Sequence, residues 1–171
     1  MGGSVTDLSN VRVAKITNKE EKMKKALIIY GTTTGNTQEM SEIIKQILER
    51  SGFEIEMKNV TDAVADDLTA DHDVVLLGCP AYGDDTVELQ EDFENFYEQL
   101  DGIKLNGKKF GVFAPGDSSY EHFCGSVDML EEKMDELGGK MAVDGLKIDG
   151  DPGHAQDEIL EWSEAIAAAI I

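Results

Sequence analysis

Short apolar runs alternate along this chain with amphipathic segments of helical period, and that alternation limits the fold more than any other feature. The runs lie at 25–30, 53–59, 73–79, 108–115 and 141–148. Leu27-Ile28-Ile29, Val74-Val75-Leu76-Leu77 and Phe110-Gly111-Val112-Phe113 are apolar at successive positions, as expected of strands covered on both faces in a parallel sheet. The runs at 53–59 and 141–148 alternate more, which predicts positions toward the sheet edges. Met40, Ile43, Ile44, Ile47 and Leu48 fall on one helical stripe, and Leu89, Phe93, Phe96, Tyr97 and Leu100 nearly do. Val127, Leu130, Met134 and Leu137 form a third stripe, closed by Gly138, and Ile159, Trp162, Ile166 and Ile170 a fourth. Residues 60–72 support only one or two helical turns. The expected fold is α/β, a doubly wound five-stranded parallel sheet with helices on both faces.

Charge narrows the function classes. The chain has 35 Asp and Glu against 15 Lys and Arg, and a field of that sign repels nucleic-acid phosphates and anionic membrane surfaces. Neither nucleic acid nor membrane is therefore an expected partner. Hydrophobic residues at 41% supply one sizeable core, so the acidity does not signal disorder. Residues 1–22 hold four basic and three acidic groups, a net of +1, which leaves −21 of the total −20 on 23–171. The expected organisation is an N-terminal extension or leader over 1–22 and one domain over 23–171. Cys79 and Cys124 form no CxxC pair and are expected as buried free thiols, without a metal site. No apolar run nears the ~20 residues of a membrane helix or forms a signal peptide, and a cytoplasmic location is expected.

In a doubly wound sheet, ligands bind beyond the carboxyl ends of the strands where strand order reverses. The loop after the first strand is Gly31-Thr32-Thr33-Thr34-Gly35-Asn36-Thr37. Its hydroxyls, Asn36 and a following helix N-terminus together fit a phosphate. Capping alone would need one such residue. The loop has neither the GK[ST] of a triphosphate site nor the GxGxxG of a dinucleotide site. After the third strand comes Cys79-Pro80-Ala81-Tyr82-Gly83-Asp84-Asp85, and after the fourth Pro115-Gly116-Asp117-Ser118-Ser119-Tyr120-Glu121-His122-Phe123-Cys124-Gly125. Each brings an aromatic ring among polar groups, and two such rings can enclose a planar heterocycle. The three loops together specify a planar heterocycle carrying a phosphate monoester.

These stretches, with Glu88-Leu89-Gln90-Glu91-Asp92-Phe93, resemble the short-chain flavodoxins, electron carriers with non-covalent flavin mononucleotide (FMN), over essentially 24–170. The resemblance implies the strand order 2-1-3-4-5, for which flavodoxin is itself a standard example. It also implies that Thr32, Thr33, Thr34, Gly35, Asn36 and Thr37 hold the phosphate, with Tyr120 on the outer face of the isoalloxazine. The segment Pro80, Ala81, Tyr82, Gly83 and Asp84 covers the inner face, and Gly83 supplies a peptide that turns toward N5 on reduction. Asp117, His122 and Cys124 lie against the pyrimidine edge, and Phe123 is a further cofactor-binding residue. Relatives often carry Trp at Tyr82 and hydroxyl residues at Pro80-Ala81, so this site offers a smaller ring and fewer donors there.

The function this implies is a low-potential one-electron carrier shuttling between redox enzymes, not an enzyme itself. Its expected partners are oxidoreductases with basic docking faces, and a monomer is expected. Asp84, Asp85, Glu88, Asp117 and Glu121 are placed by their loops to disfavour the flavin's second electron. The alternative, an FMN-dependent quinone or NAD(P)H reductase, needs a second-substrate pocket that loops this short do not build. A phosphoacceptor module on the same topology needs an acidic pair after the first strand, where Gly31-Thr32-Thr33 stands.

Overall fold

The computed structural model describes residues 23–82 and 87–170. Strand β1 (Lys24–Tyr30) leads through α1 (Asn36–Arg50) to β2 (Phe53–Asn59). Two 3-10 turns, Val60–Asp62 and Ala65–Thr69, then reach β3 (Val74–Gly78). A short antiparallel pair, β4 (Ala81–Tyr82) and β5 (Glu88–Leu89), precedes α2 (Glu91–Glu98) and β6 (Lys109–Gly116). The chain continues with α3 (Gly125–Glu136), β7 (Lys140–Met141), β8 (Leu146–Asp149), a 3-10 turn at Pro152–His154, and α4 (Gln156–Ala169).

The main sheet runs β2-β1-β3-β6, and β7 and β8 both pair with β6, all parallel. Counting β7 and β8 as one interrupted fifth strand gives the order 2-1-3-4-5, with 53–59 and the fifth strand at the edges as their alternation predicts. The interruption is the main departure from the expected single strand over 141–148. Strand pairing lapses over 142–145, between Phe110↔Met141 and Phe113↔Leu146, after the Ala142 N–H donates to the Phe110 carbonyl at 2.7 Å.

Alternate residues of the central strands feed two separate cores, which is why these runs carry no polar face. Leu27, Ile29, Val75, Leu77 and Val112 pack with Phe93 and Phe96 of α2 and Val127, Leu130 and Met134 of α3. Ala26, Ile28, Val74, Leu76 and Phe113 face Met40, Ile44 and Leu48 of α1 and Ile159, Trp162 and Ile166 of α4. Helices therefore cover both faces. Gly78 belongs to this packing: a Cβ there would stand 2.3 Å from the Phe113 ring. Leu89, assigned above to a helical stripe, lies in β5 instead, because Gln90 caps α2 by accepting from the Phe93 N–H at 3.1 Å. Among the described residues, no helix is long and apolar enough to cross a membrane.

Candidate functional site

At the carboxyl ends of β1, β3 and β6 the sheet opens into a cleft of about 510 Å³. Its walls are Thr32, Thr33, Thr34, Asn36 and Thr37 from the first loop, Pro80, Ala81 and Tyr82 from the second, and Asp117, Tyr120, His122, Phe123 and Cys124 from the third. Three loops far apart in sequence thus converge on one site. Gly35 is not part of the wall; it makes the turn into α1 at φ +97°, a left-handed conformation that suits glycine. Gly83, Asp84 and Asp85 lie outside the described residues.

The first loop leaves its donors to the cleft. Helix α1 has no side-chain cap, so its first N–H groups have neither an intrahelical acceptor nor a side-chain one. Capping therefore does not account for the threonines. One hydroxyl is engaged: Thr32 Oγ1 accepts from the Gly35 N–H at 2.9 Å, which fixes the turn that aims the helix. Thr33, Thr34 and Asn36 are exposed, and Thr37 is buried against the helix start. Together these hydroxyls and the helix N-terminus suit a doubly charged oxyanion.

The same cleft also carries aromatic rings. Tyr82 is 43% exposed and Tyr120 66%, among the few large apolar side chains that the described surface leaves open. Most of the other described aromatics are buried, with Tyr97 and Phe123 partly so, and the two exposed rings at one opening suit a planar ligand. Helix α3 starts here without a side-chain cap, after Cys124 at φ +48°.

Hydrogen bonds hold the third loop. Ser119 donates to Asp117 from its hydroxyl (2.7 Å) and its N–H (2.9 Å). Ser118 does the same to Asp149, at 2.5 and 3.0 Å. These donors keep both carboxyls below the usual carboxylate range. Burial pushes the Cys79 thiol up to about 12 and the Cys124 thiol up to about 11. Both are free and buried, and neither is a thiolate nucleophile near neutrality. No cluster of three or more His, Cys, Asp or Glu suited to a metal occurs among the described residues.

Pro115 and Gly116, which open the third loop, also line the cleft, and so does Gly150, which lies outside the three loops expected to do so. Gly150 comes from a fourth segment, after β8, and its N–H donates to Gly116 O at 2.8 Å. The signal was present in Asp149-Gly150-Asp151-Pro152-Gly153, a turn-rich run following the last strand.

A family model described as "Flavodoxin" matches residues 28–162. A flavodoxin of Maridesulfovibrio salexigens is 46% identical over 148 residues, covering 86% of this chain and 100% of that protein. A flavodoxin of Nitratidesulfovibrio vulgaris is 38% identical with the same two coverages. Among solved structures, oxidised flavodoxin 2 from Bacillus cereus aligns with a TM-score of 0.79 at 34% identity, covering 84% of this chain and 98% of that one.

Proposed function

The chain belongs to the flavodoxin family, and from that premise we propose that it is a low-potential one-electron carrier that binds FMN non-covalently and passes electrons between redox enzymes. The observation that carries the proposal is a single cleft that combines uncapped helix N–H groups and threonine hydroxyls with two exposed tyrosines. That donor set suits a phosphate monoester, and the rings suit a flat heterocycle, so the residues present fit FMN. Bound there, the flavin supplies the one-electron chemistry.

The protein's own residues bind, orient and tune. Thr32, Thr33, Thr34, Asn36 and Thr37 hold the phosphate end, while Tyr82 and Tyr120 flank the ring. Asp117, His122, Phe123 and Cys124 border its polar edge. Glu88, Asp117 and Glu121 are exposed carboxylates near the opening. Their field opposes addition of a further negative charge, and several such groups together shift a one-electron potential by on the order of a hundred millivolts.

A second groove supports docking by a basic partner. It shares His122 and Phe123 with the cleft and is floored by Val87 and Met129, with Glu121, Asp128 and Glu132 around it. Lys147 pairs with Asp128 at 2.9 Å and tempers that side. An apolar floor inside an acidic rim favours a partner loop with a basic fringe.

Incubation with FMN followed by gel filtration tests the proposal. The protein should elute yellow, take up electrons in two separated one-electron steps, and leave NADPH unconsumed when alone. A colourless eluate refutes FMN binding, and steady NADPH consumption favours a reductase. Changing Glu88, Asp117 and Glu121 to amides should raise the potential of the second step, and an unmoved potential would remove the electrostatic account.

A further inference from the structure

We propose that Gln90 is a positioning residue, a buried side chain that holds the phosphate-side loop in the shape the ligand needs. The inference rests on the FMN reading above. Gln90 is 4% exposed, one of few buried polar side chains among the described residues, and an amide in such a place is costly unless its groups are bonded. All of them are engaged. Oε1 accepts from the Phe93 N–H at 3.1 Å, and Nε2 donates to Asp92 Oδ2 at 3.0 Å and toward the Thr32 carbonyl at 3.5 Å. Its backbone N–H reaches the Cys79 thiol.

One residue therefore touches the start of α2, the first loop and the end of β3. Capping α2 would not require this reach, since a shorter Ser, Asp or Asn is the usual cap. The extra length goes to the first loop. A Cβ on Gly31 would stand 2.7 Å from Gln90 Oε1 and 3.2 Å from the Phe93 ring, so a side chain at 31 would have to displace this amide. Gly31 does not need a left-handed backbone. The Thr32 peptide that Gln90 steadies carries the hydroxyl that receives the Gly35 N–H. The chain of contacts thus runs from Gln90 to Thr32, to Gly35, to the uncapped N-terminus of α1.

Ser126 provides the contrast. It is fully buried, and its hydroxyl donates to the Cys79 carbonyl at 2.5 Å, tying the segment after β3 to α3 rather than to the first loop. Gln90 should consequently matter to the phosphate end of the ligand, and Ser126 should not discriminate between the two ends.

Gln90→Met keeps the length and removes the hydrogen bonds. In the full chain, flavin fluorescence quenching would give affinities for FMN and for riboflavin, which lacks the phosphate. The variant should lose about tenfold or more in FMN affinity while its riboflavin affinity stays within about twofold, and Ser126→Ala should change both affinities by one common factor. Gly31→Ala, which pushes the amide away, should reproduce the FMN-selective loss, and adding it to Gln90→Met should cost less than the sum of the two. An equal loss for both flavins in Gln90→Met, or an unchanged FMN affinity, overturns the role. If Gln90→Met does not fold, Gly31→Ala decides by the same two readouts. A parent protein that binds neither flavin would instead refute the FMN reading itself.

Discussion

The two ends of the sheet treat the helix termini beside them in opposite ways. At the amino end, side chains close off the helix and turn carbonyls. Lys108 donates to the carbonyls of Ala70 and His72, Lys109 to that of Ala169, and the Ser51 hydroxyl to that of Ile47. Asp73 and Lys25 exchange two bonds of 2.8 Å. At the carboxyl end, α1 and α3 begin without side-chain caps, and of the four helices only α2 has one, from Gln90. The amino end is finished by the protein itself. At the carboxyl end each missing cap forgoes on the order of 1 kcal/mol in the free protein, and in the proposed function a ligand completes the start of α1.

That contrast has a clear way to fail. Changing Thr33 and Thr34 together to valine should lower FMN affinity by about a hundredfold or more, since hydrogen bonds to a charged group are worth about 1.5–3 kcal/mol each. The urea midpoint of the free protein should barely move, because both residues are exposed and bond to nothing it needs. A stability loss without an affinity loss would reverse the assignment of the two ends.

Lys108→Met makes the complementary change. It strips the donor from two carbonyls and should destabilise the free protein by about 1–2 kcal/mol, leaving FMN affinity where it was. Urea unfolding and flavin titration on the same sample check both halves. An affinity loss here would mean that the ends are not independent.

The smallest effects are in the acid range and differ in sign within the carboxyl half. Asp117 and Asp149 are held below the ordinary 3.8 by serine donors. Their contribution is complete above that value and is lost as pH falls through the lower folded values. Asp149→Asn should therefore flatten the acid end of the unfolding profile. Glu131 is raised above 4.5, first by burial and then by Asp128 and Asp144, so its ionised form costs stability. Glu131→Gln should raise the melting temperature near pH 7, with the gain vanishing as pH falls below 4.5. A gain that persisted in acid would show that charge is not the cause.

The sheet and its helices were legible because burial on both faces leaves a mark on every residue of a central strand: Leu27 to Ile29 and Val74 to Leu77 have no polar position to offer. The break in the fifth strand was not, because Met141-Ala142-Val143 looks like more strand. What ends it is tertiary: a Cβ on Gly145 would lie 2.2 Å from Val127 of α3, so the backbone is drawn in against that helix. Leu89 departs from its helical stripe for a related reason. Glutamine is not a usual cap, and only the fold shows Gln90 stopping α2 one residue later. At the site, Thr32 to Thr37 and the two tyrosines carried their chemistry openly in the sequence. Pro115, Gly116 and Gly150 contribute backbone and shape, which residue type does not announce.

Trp162 is the only tryptophan in the chain. It sits on α4 edge-to-face with Phe113 at 5.9 Å, with its indole N–H on the Asp144 carbonyl, on the opposite face of the sheet from α2 and α3. The molecule consequently contains its own optical probe, placed outside the cleft wall. Indole emission would follow how α4 seats on the sheet, and excitation passed from it to a bound flavin would provide a ruler between core and cleft without any added label.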